Sequence, residues 1–594
     1  MNEHELLSYY GRELDKLRVL GKQFSQQHPQ MAPHLQFELG FGKNPYLAQL
    51  LEGMAFLNAN IAYQFDQDYP QLIAGLVENI TPHLLAPIPS MAIVQWPTTP
   101  TLEKPIAVPR GSVLETDPYA SKVCRFTTCY DVTAYPIQFI QAEFVTDLQT
   151  CPHRVTLDPH AVLKLNLAIT HPAVTFQQLQ IEHLPIYLSG DAMLTYPLYE
   201  LLAKDCIGIC YEAEGIEPQW LGAETLVPMG FEPEQALLPT DPRSFIGYRW
   251  LTEFFTLPQK FLFFDLKKIP NHLQQAQKLS IYLYFKQKPS QALQHVSSQQ
   301  FQLGCTPIVN LFTKTIEPLQ VISDKNQYRL VTDLRSPMDY EINHVEQIYS
   351  VAGQQQLLHY VPLFHPQANV AGYWQMQRVN CSQLSDCPYT GTEVLIELIH
   401  QNPITETTSL VVETLCSNRN LPELLLQQAE LPLLQPAQGH IVPHPIQWQL
   451  APTLPRAPIA VPGQAFTLLA HLSPQLSGHI NDSGEQLKRI LSLYAAPEQQ
   501  ELMNFIDQIS DLTGTPCHEF VAEQGHYGFI QGTRLTLQLQ KRPQLGYNPY
   551  VLLCVLNQFL SQQCALNSFI DFRVQVLNEE IYKWPVCIGN HVLV

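Results

Sequence analysis

Residues 84–96 read LLAPIPSMAIVQW, and the two prolines in this stretch separate unlike halves. Upstream, apolar residues recur at helical spacing; downstream, MAIVQW opens a long series of short β-branched and aromatic runs. Proline fixes φ and lacks a backbone donor, so no helix runs through Pro87 and Pro89. It also pushes the residue before it into extended conformation. The stretch therefore reads as the end of a helical arm, with Pro87 and Pro89 stopping its third helix and setting its exit angle against the first strand of a body.

In the arm, Leu7, Tyr10, Leu14, Leu17 and Phe24 form one stripe. Asn44 is an N-cap and Pro45 a first helical residue for a second helix striped by Leu47, Leu50, Leu51, Met54, Leu57, Ile61 and Phe65. Pro70 permits a third start, carrying Leu72, Leu76, Val77 and Ile80. Such stripes serve packing within the chain or an intermolecular bundle. Leu7, Leu14, Leu17, Leu47, Leu51, Met54, Leu57 and Ile61 are the candidate partner-binding residues.

Beyond the arm, VTLDPHAVLKLNLAIT, LQIEHLPIYL and KLSIYLYF read as strands, with short helices at YPLYELLAK and YRWLTEFF. The Gln-rich QKPSQALQHVSSQQ (287–300) reads as a linker. Near the C-terminal end GEQLKRILSLYAA and PEQQELMNFIDQI read as helices, TRLTLQLQ as a strand and 549–564 as an apolar helix. The expected fold class is α+β and multidomain. Its parts are a helical arm (1–90), a β-rich domain with short helices (91–300), a second β-rich domain (301–484) and a C-terminal α/β region (485–594). The block Tyr248, Trp250, Phe254, Phe255, Phe261, Phe263 and Phe264 reads as a domain core in preference to an interface, since aromatics dominate both.

Only 15% of the 594 residues are charged, against about 25% in a typical domain. A surface poor in Lys and Glu suits coverage by partners or simple replacement of charge by Gln. Asp plus Glu number 53 against 34 Lys plus Arg, a net −19 that disfavours nucleic acid. The 13 cysteines are scattered and odd in number, so reduced thiols in the cytoplasm are expected. MNEHELLSYY does not resemble a signal peptide, and no apolar run reaches the roughly 20 residues of a span.

Catalytic signatures do not emerge. GxSxG, HExxH, Walker A and GxGxxG patterns are missing. Cys206 and Cys210, four apart, could share a helix face, but two thiols make no tetrahedral zinc site. Cys381 and Cys387, the adjacent Cys517 and His518, and the carboxylates Asp191, Glu200 and Asp265 form no recognisable constellation either. The expectation is a protein without enzymatic activity, cofactor or metal.

Several blocks carry a family resemblance. HPQMAPHL, NPYLAQLLEGMAFLNANI and DYPQLIAGLVENITPHLLAPIPSMAIVQW resemble the opening block of the TssF (VasA/ImpG) family of type VI secretion baseplate subunits. The matching positions are Leu51, Glu52, Gly53, Ala55, Phe56, Leu57, Tyr69, Pro70, Pro82, His83, Leu85, Pro87, Ile88, Pro89, Ser90 and Met91. LPIYLSGD (184–191), LYELL (198–202), GFEPEQALLP (230–239) and SFIGYRWLTEFFTLPQKFLFFDL (244–266) continue it in order. CTPIVNLF (305–312), DYEINHV (339–345), LCSNRNLP (415–422) and NQFLSQQCALNSF (557–569) follow. The intervals 270–300 and 425–500 match less well.

The resemblance implies a non-enzymatic scaffold related to phage baseplate wedge proteins. It implies wedges built with TssG, TssE, TssK and a second copy of the chain around a VgrG hub, as the platform for tube and contractile sheath. The implied location is cytoplasmic, against the inner face of the bacterial inner membrane through other subunits, without direct membrane insertion. A wedge scaffold of a related phage-tail-like contractile injection particle is the alternative.

Overall fold

The computed structural model describes residues 9–14, 16, 49, 52–61, 77, 81–98, 102–119, 122–152, 159–241, 244–270, 277–322, 325–352, 356–363, 370–381, 391–400, 408–437, 445–459, 484–496, 499–523, 526–541, 549–566, 568–576 and 579–589. The chain divides into two compact units. One comprises Met1–Ile80 with Ala460–Ala470, the other Thr81–Ile459 with His471–Val594. The described residues of the first unit are helical.

The second unit is α+β and strand-rich, with six sheets among its described residues. Its first strand, Met91–Gln95, is buried at every position. It lies antiparallel between Gln447–Leu450 and Cys305–Val309, with Met91 opposite Val309 and Gln95 opposite Cys305. Cys305–Val309 is also buried throughout, so both strands are apolar runs without the alternation of a half-exposed sheet. Of their two buried polar side chains, Gln95 and Thr306, Gln95 donates through Nε2 to the Leu303 carbonyl at 2.9 Å and accepts at Oε1 from Gln449 at 2.6 Å, and Thr306 Oγ1 donates to the Tyr130 carbonyl at 3.2 Å. Arg125–Thr128, Val113–Thr116 and Leu434–Pro436 complete this six-stranded sheet.

A five-stranded sheet orders Gln219–Gly222, Cys206–Ala213, Lys278–Phe285, Ala161–Ile169 and Ile137–Phe144. A four-stranded sheet orders Leu226–Pro228, Phe263–Lys267, His183–Leu188 and Phe301–Leu303. An eight-stranded sheet built within 312–417 encloses Val345, Ile348, Ile396, Leu410 and Val412 as its core. Near the C-terminal end, the long hairpin Ile509–Glu523 and His526–Leu539 joins Phe569–Val576, Glu579–Lys583 and Cys587–Ile588.

Three expectations are corrected. Val77 is helical, but Thr81 has φ −146° and ψ 62°, and Pro82–Leu84 is a 3-10 turn. The helix has therefore ended before Pro87 and Pro89. These buried prolines instead flank a single antiparallel bridge, in which the Ile88 N–H and carbonyl pair with Arg456 at 2.9 Å. Flanked by two residues without N–H groups, Ile88 supplies the one donor there, which limits the pairing to one rung.

Residues 287–300 are not a slack linker. Gln291–His295 and Ser298–Gln300 are 3-10 turns, Leu293 is buried, and Ser297 with Gln300 closes a capping box. That turn feeds Phe301–Leu303 back onto His183–Leu188, so the same sheet continues across residue 300. Finally, Cys206 and Cys210 lie on the strand Cys206–Ala213, not on a helix. Their surroundings are β-branched and aromatic, and burial pushes both thiols up to about 12, leaving them neutral and inert.

Candidate functional site

The arm offers the first surface. On the helical residues 52–61, Ala55 and Ala59 are fully buried and lie one turn apart. Met54, Leu57 and Ile61, at i, i+3 and i+7, share the opposite face and are 49%, 62% and 51% exposed. Small residues face inward and large apolar ones face out, the reverse of the usual pattern of a soluble helix. Leu14 is half-buried, and the Tyr9 ring lies under the Arg12 guanidinium at 4.7 Å. Leu7, Leu17, Leu47 and Leu51 lie outside the described residues.

The aromatic block is buried: Tyr248, Trp250, Phe254, Phe255, Phe261, Phe263 and Phe264 are each at most 3% exposed. Every residue of the helix Gly247–Thr256 is buried. Tyr248 stacks on His83 at 5.6 Å and on Tyr494 at 6.4 Å, and meets Phe559 at 5.6 Å. One ring thus joins the 3-10 turn at 82–84, the helix Glu485–Tyr494 and the helix Tyr550–Ser561. Gly247 is required because a Cβ there would sit 2.7 Å from the Phe559 ring. Arg456 ties the same node together, donating to the carbonyls of Phe255 and Tyr494.

Within this aromatic mass sits a charge cluster that the sequence reading did not single out. Glu253 and Lys260 are both fully buried and ion-paired. The other Glu253 oxygen accepts from the N–H groups of Leu237 and Leu238 at 2.8 and 3.0 Å, and Arg249 Nε lies 3.8 Å from it. Burial draws the Lys260 and Arg249 pKa values down while Glu253 draws them up. Arg249 also lines a cavity of about 160 Å³ with His83, Pro87, Thr240, Asn343 and Met376.

His83 reports on this node. Its Nδ1 pairs with Ser244 Oγ at 3.0 Å, and burial lowers its pKa from 6.5 to about 4. Between those values the unfolded chain binds a proton that the fold refuses, so stability rises with pH and is lost as pH falls through the window. Acidification from pH 7 to 4 should remove up to about 3 kcal/mol through this group. His83→Phe should flatten that part of the pH profile of urea midpoints; an unchanged slope would remove His83 from the account.

Polar nodes join distant blocks of sequence. Asn310 donates to Asn418 Oδ1 at 3.0 Å and accepts from the Asn418 N–H at 2.8 Å. Glu341 accepts from the Thr392 N–H and hydroxyl, and Arg419 pairs with Glu393 at 3.0 Å. Asn343 donates to the Pro87 carbonyl at 2.8 Å. A signal existed in the sequence: Asn and Glu inside otherwise apolar runs must be buried with partners.

The residues weighed for chemistry have structural positions. Asp191 caps the helix Ala192–Lys204 by accepting from the Met193 N–H, Glu200 lies 3.8 Å from Lys204, and Asp265 pairs with His183 at 2.7 Å. Cys517 and His518 are neighbours on the strand Ile509–Glu523, where successive side chains point to opposite faces. Cys381 is buried, and Cys387 lies outside the described residues. Among the described residues no group of three or more His, Cys, Asp and Glu is placed to hold a metal ion, and no helix is long and apolar enough to cross a membrane.

The polar residues described above are taken up by internal nodes that join distant blocks of the chain. The family model described as "Type VI secretion system, TssF" matches residues 2–591. The chain belongs to this family. It is 26% identical to type VI secretion system component TssF1 of Pseudomonas aeruginosa, over 98% of this chain and 99% of that protein.

Two solved structures share the TssF fold. The first is a chain of a TssK-TssF-TssG baseplate subcomplex solved by cryo-electron microscopy. It matches with a TM-score of 0.71 and 22% identity, over 92% of this chain and 99% of that one. The second, from a type VI secretion baseplate complex, matches with a TM-score of 0.59 and 19% identity, over 99% and 100% of the two chains. The TssF blocks recognised in the sequence coincide with the nodes above: Glu253 and Lys260 in 244–266, Asn310 in 305–312, Glu341 and Asn343 in 339–345, Asn418 and Arg419 in 415–422.

Proposed function

We propose that this chain is a structural, non-enzymatic subunit of a type VI secretion baseplate, assembling with TssG and TssK. The observation that carries the reading is family membership along residues 2–591, joined to an apolar helical face open to a partner. Incorporation with TssE and a second copy of the chain into wedges around a VgrG hub, docked at the inner membrane through other subunits, extends the same reading. In it Met54, Leu57 and Ile61 dock on helices of TssG, with Leu7, Leu14, Leu17, Leu47 and Leu51 continuing the contact. Pro87 and Pro89 act as structural residues at the entry to the body.

Burying each such side chain is worth about 1.5–3 kcal/mol. Met54→Glu, Leu57→Glu and Ile61→Glu combined should therefore weaken association with a TssG homologue from the same genome by at least about a hundredfold. The thermal unfolding of the isolated chain should stay as it was. The measurement is co-expression, purification and mass determination, followed by titration of the variant. Wild-type chain that purifies as a folded monomer beside TssG refutes the partner assignment. A variant that binds like wild type refutes the role of this face.

A further inference from the structure

The cavity of about 160 Å³ beside Arg249 lies where the eight-stranded sheet meets the rest of its unit. Asn343 and Met376 line it from strands of that sheet, while Pro87, Thr240 and Arg249 line it from outside. Pro239 and Thr240 are exposed and mark its mouth, with Asp241 next in the chain. Arg249, Asn343 and Met376 are buried and form its floor. Ligand cavities concentrate at such seams, and one of about 150 Å³ is enough for a benzene ring.

Charge and hydrogen bonding at the floor are both incomplete. Two cations, Arg249 and Lys260, share one buried carboxylate. Glu253 gives Oε2 to Lys260 and Oε1 to the N–H groups of Leu237 and Leu238. Arg249 is therefore the surplus charge, 6% exposed, with Nη1 donating to the Thr240 hydroxyl at 2.6 Å. Its Nε stands 3.8 Å from Glu253, beyond hydrogen-bond reach, and neither Nε nor Nη2 has a hydrogen-bond partner. His83, in the same lining, has a buried Nε2 without one. A buried cation in this state is costly until an anion or water reaches it.

The lining narrows the class of anion. Nε and Nη2 form one edge of the planar guanidinium, the edge that takes a carboxylate through two parallel bonds. Anchored by a hydrogen bond at Thr240 and by none at Glu253, the guanidinium can turn that edge into the cavity. One surplus positive charge matches a monoanion, and Asp241 at the mouth opposes a dianion. Pro87, Ile88, Leu238 and Met376 suit an apolar body. We propose that this cavity binds a small monocarboxylate with a compact apolar stem, its carboxylate on Arg249 and its stem against Pro87, Ile88 and Met376. The bound molecule fastens the eight-stranded sheet to the rest of the unit, because its contacts come from both. The site depends neither on the arm nor on a baseplate partner.

The test titrates benzoate into the purified full chain by calorimetry, beside benzamide, acetate and inorganic phosphate. Benzoate should bind with a Kd of about 1 mM or tighter and raise the melting temperature. Benzamide has the same shape without the charge, and acetate lacks the stem; each should bind at least about tenfold more weakly. Met376→Trp fills the cavity and should abolish benzoate binding in a chain that still melts cooperatively. Asp241→Asn, at the mouth, should tighten benzoate about threefold by removing like charge. No heat at about 10 mM benzoate would leave the cavity to water and overturn the proposal. Benzamide, acetate or phosphate binding as well as benzoate would overturn it too, as would Met376→Trp protein that binds unchanged. If Met376→Trp does not fold, Asp241→Asn decides, since benzoate binding that it leaves unchanged or weakens lies elsewhere on the chain.

Discussion

Glu253→Ala is expected to destabilise the protein by about 3–5 kcal/mol, a large share of a domain's 5–15 kcal/mol, and to leave most of it insoluble. The substitution strands Lys260, which is fully buried, without its counter-ion. It also leaves the N–H groups of Leu237 and Leu238 without their acceptor. Lys260→Met should be milder, because the Glu253 carboxylate keeps those two donors and Arg249 beside it. Glu253→Gln combined with Lys260→Met should recover part of the loss, since both partners become neutral while an acceptor oxygen remains. Urea midpoints of the three variants decide the matter. A Glu253→Ala protein within about 1 kcal/mol of wild type would show that the pair is not a structural centre.

Phe263→Ala carries the next largest effect, about 3–5 kcal/mol. Phe263 is fully buried on the strand Phe263–Lys267, between Leu226–Pro228 and His183–Leu188. Its ring stacks on Tyr187 at 4.7 Å and meets Tyr130 edge-on at 5.4 Å. Truncation leaves a cavity that this packing cannot close. Loss of soluble protein is the expected outcome. A soluble variant with an unchanged unfolding midpoint and a binding defect would instead make the aromatic block an interface.

Much of the architecture was legible in local pattern. The strands at 91–95, 161–169, 183–188 and 278–285, and the helices at 247–256, 485–494 and 550–561, fall where periodicity places them. The apolar positions Met54, Leu57 and Ile61 were legible as a stripe, but their exposure was not, since a stripe looks alike whether it faces a core or a partner. The length of the paired strands Ile509–Glu523 and His526–Leu539 was not legible because Gly514, Pro516 and Gly528 break their alternation. The helix end was misplaced for a related reason: Pro82 begins a 3-10 turn, and the prolines after it act in an extended bridge.

Sequence by itself determined the family, the α+β class and the aromatic block, because these rest on ordered blocks and on spacings of a few residues. Only the tertiary structure decided which charges are buried together and which apolar side chains stay in water. Asn310 and Asn418 are 108 positions apart. Gln95 and Gln449 are separated by 354. No local rule links such pairs. Their partnership follows from β-strands brought into register by a shared core, where an unpaired polar group is expensive and each must find another.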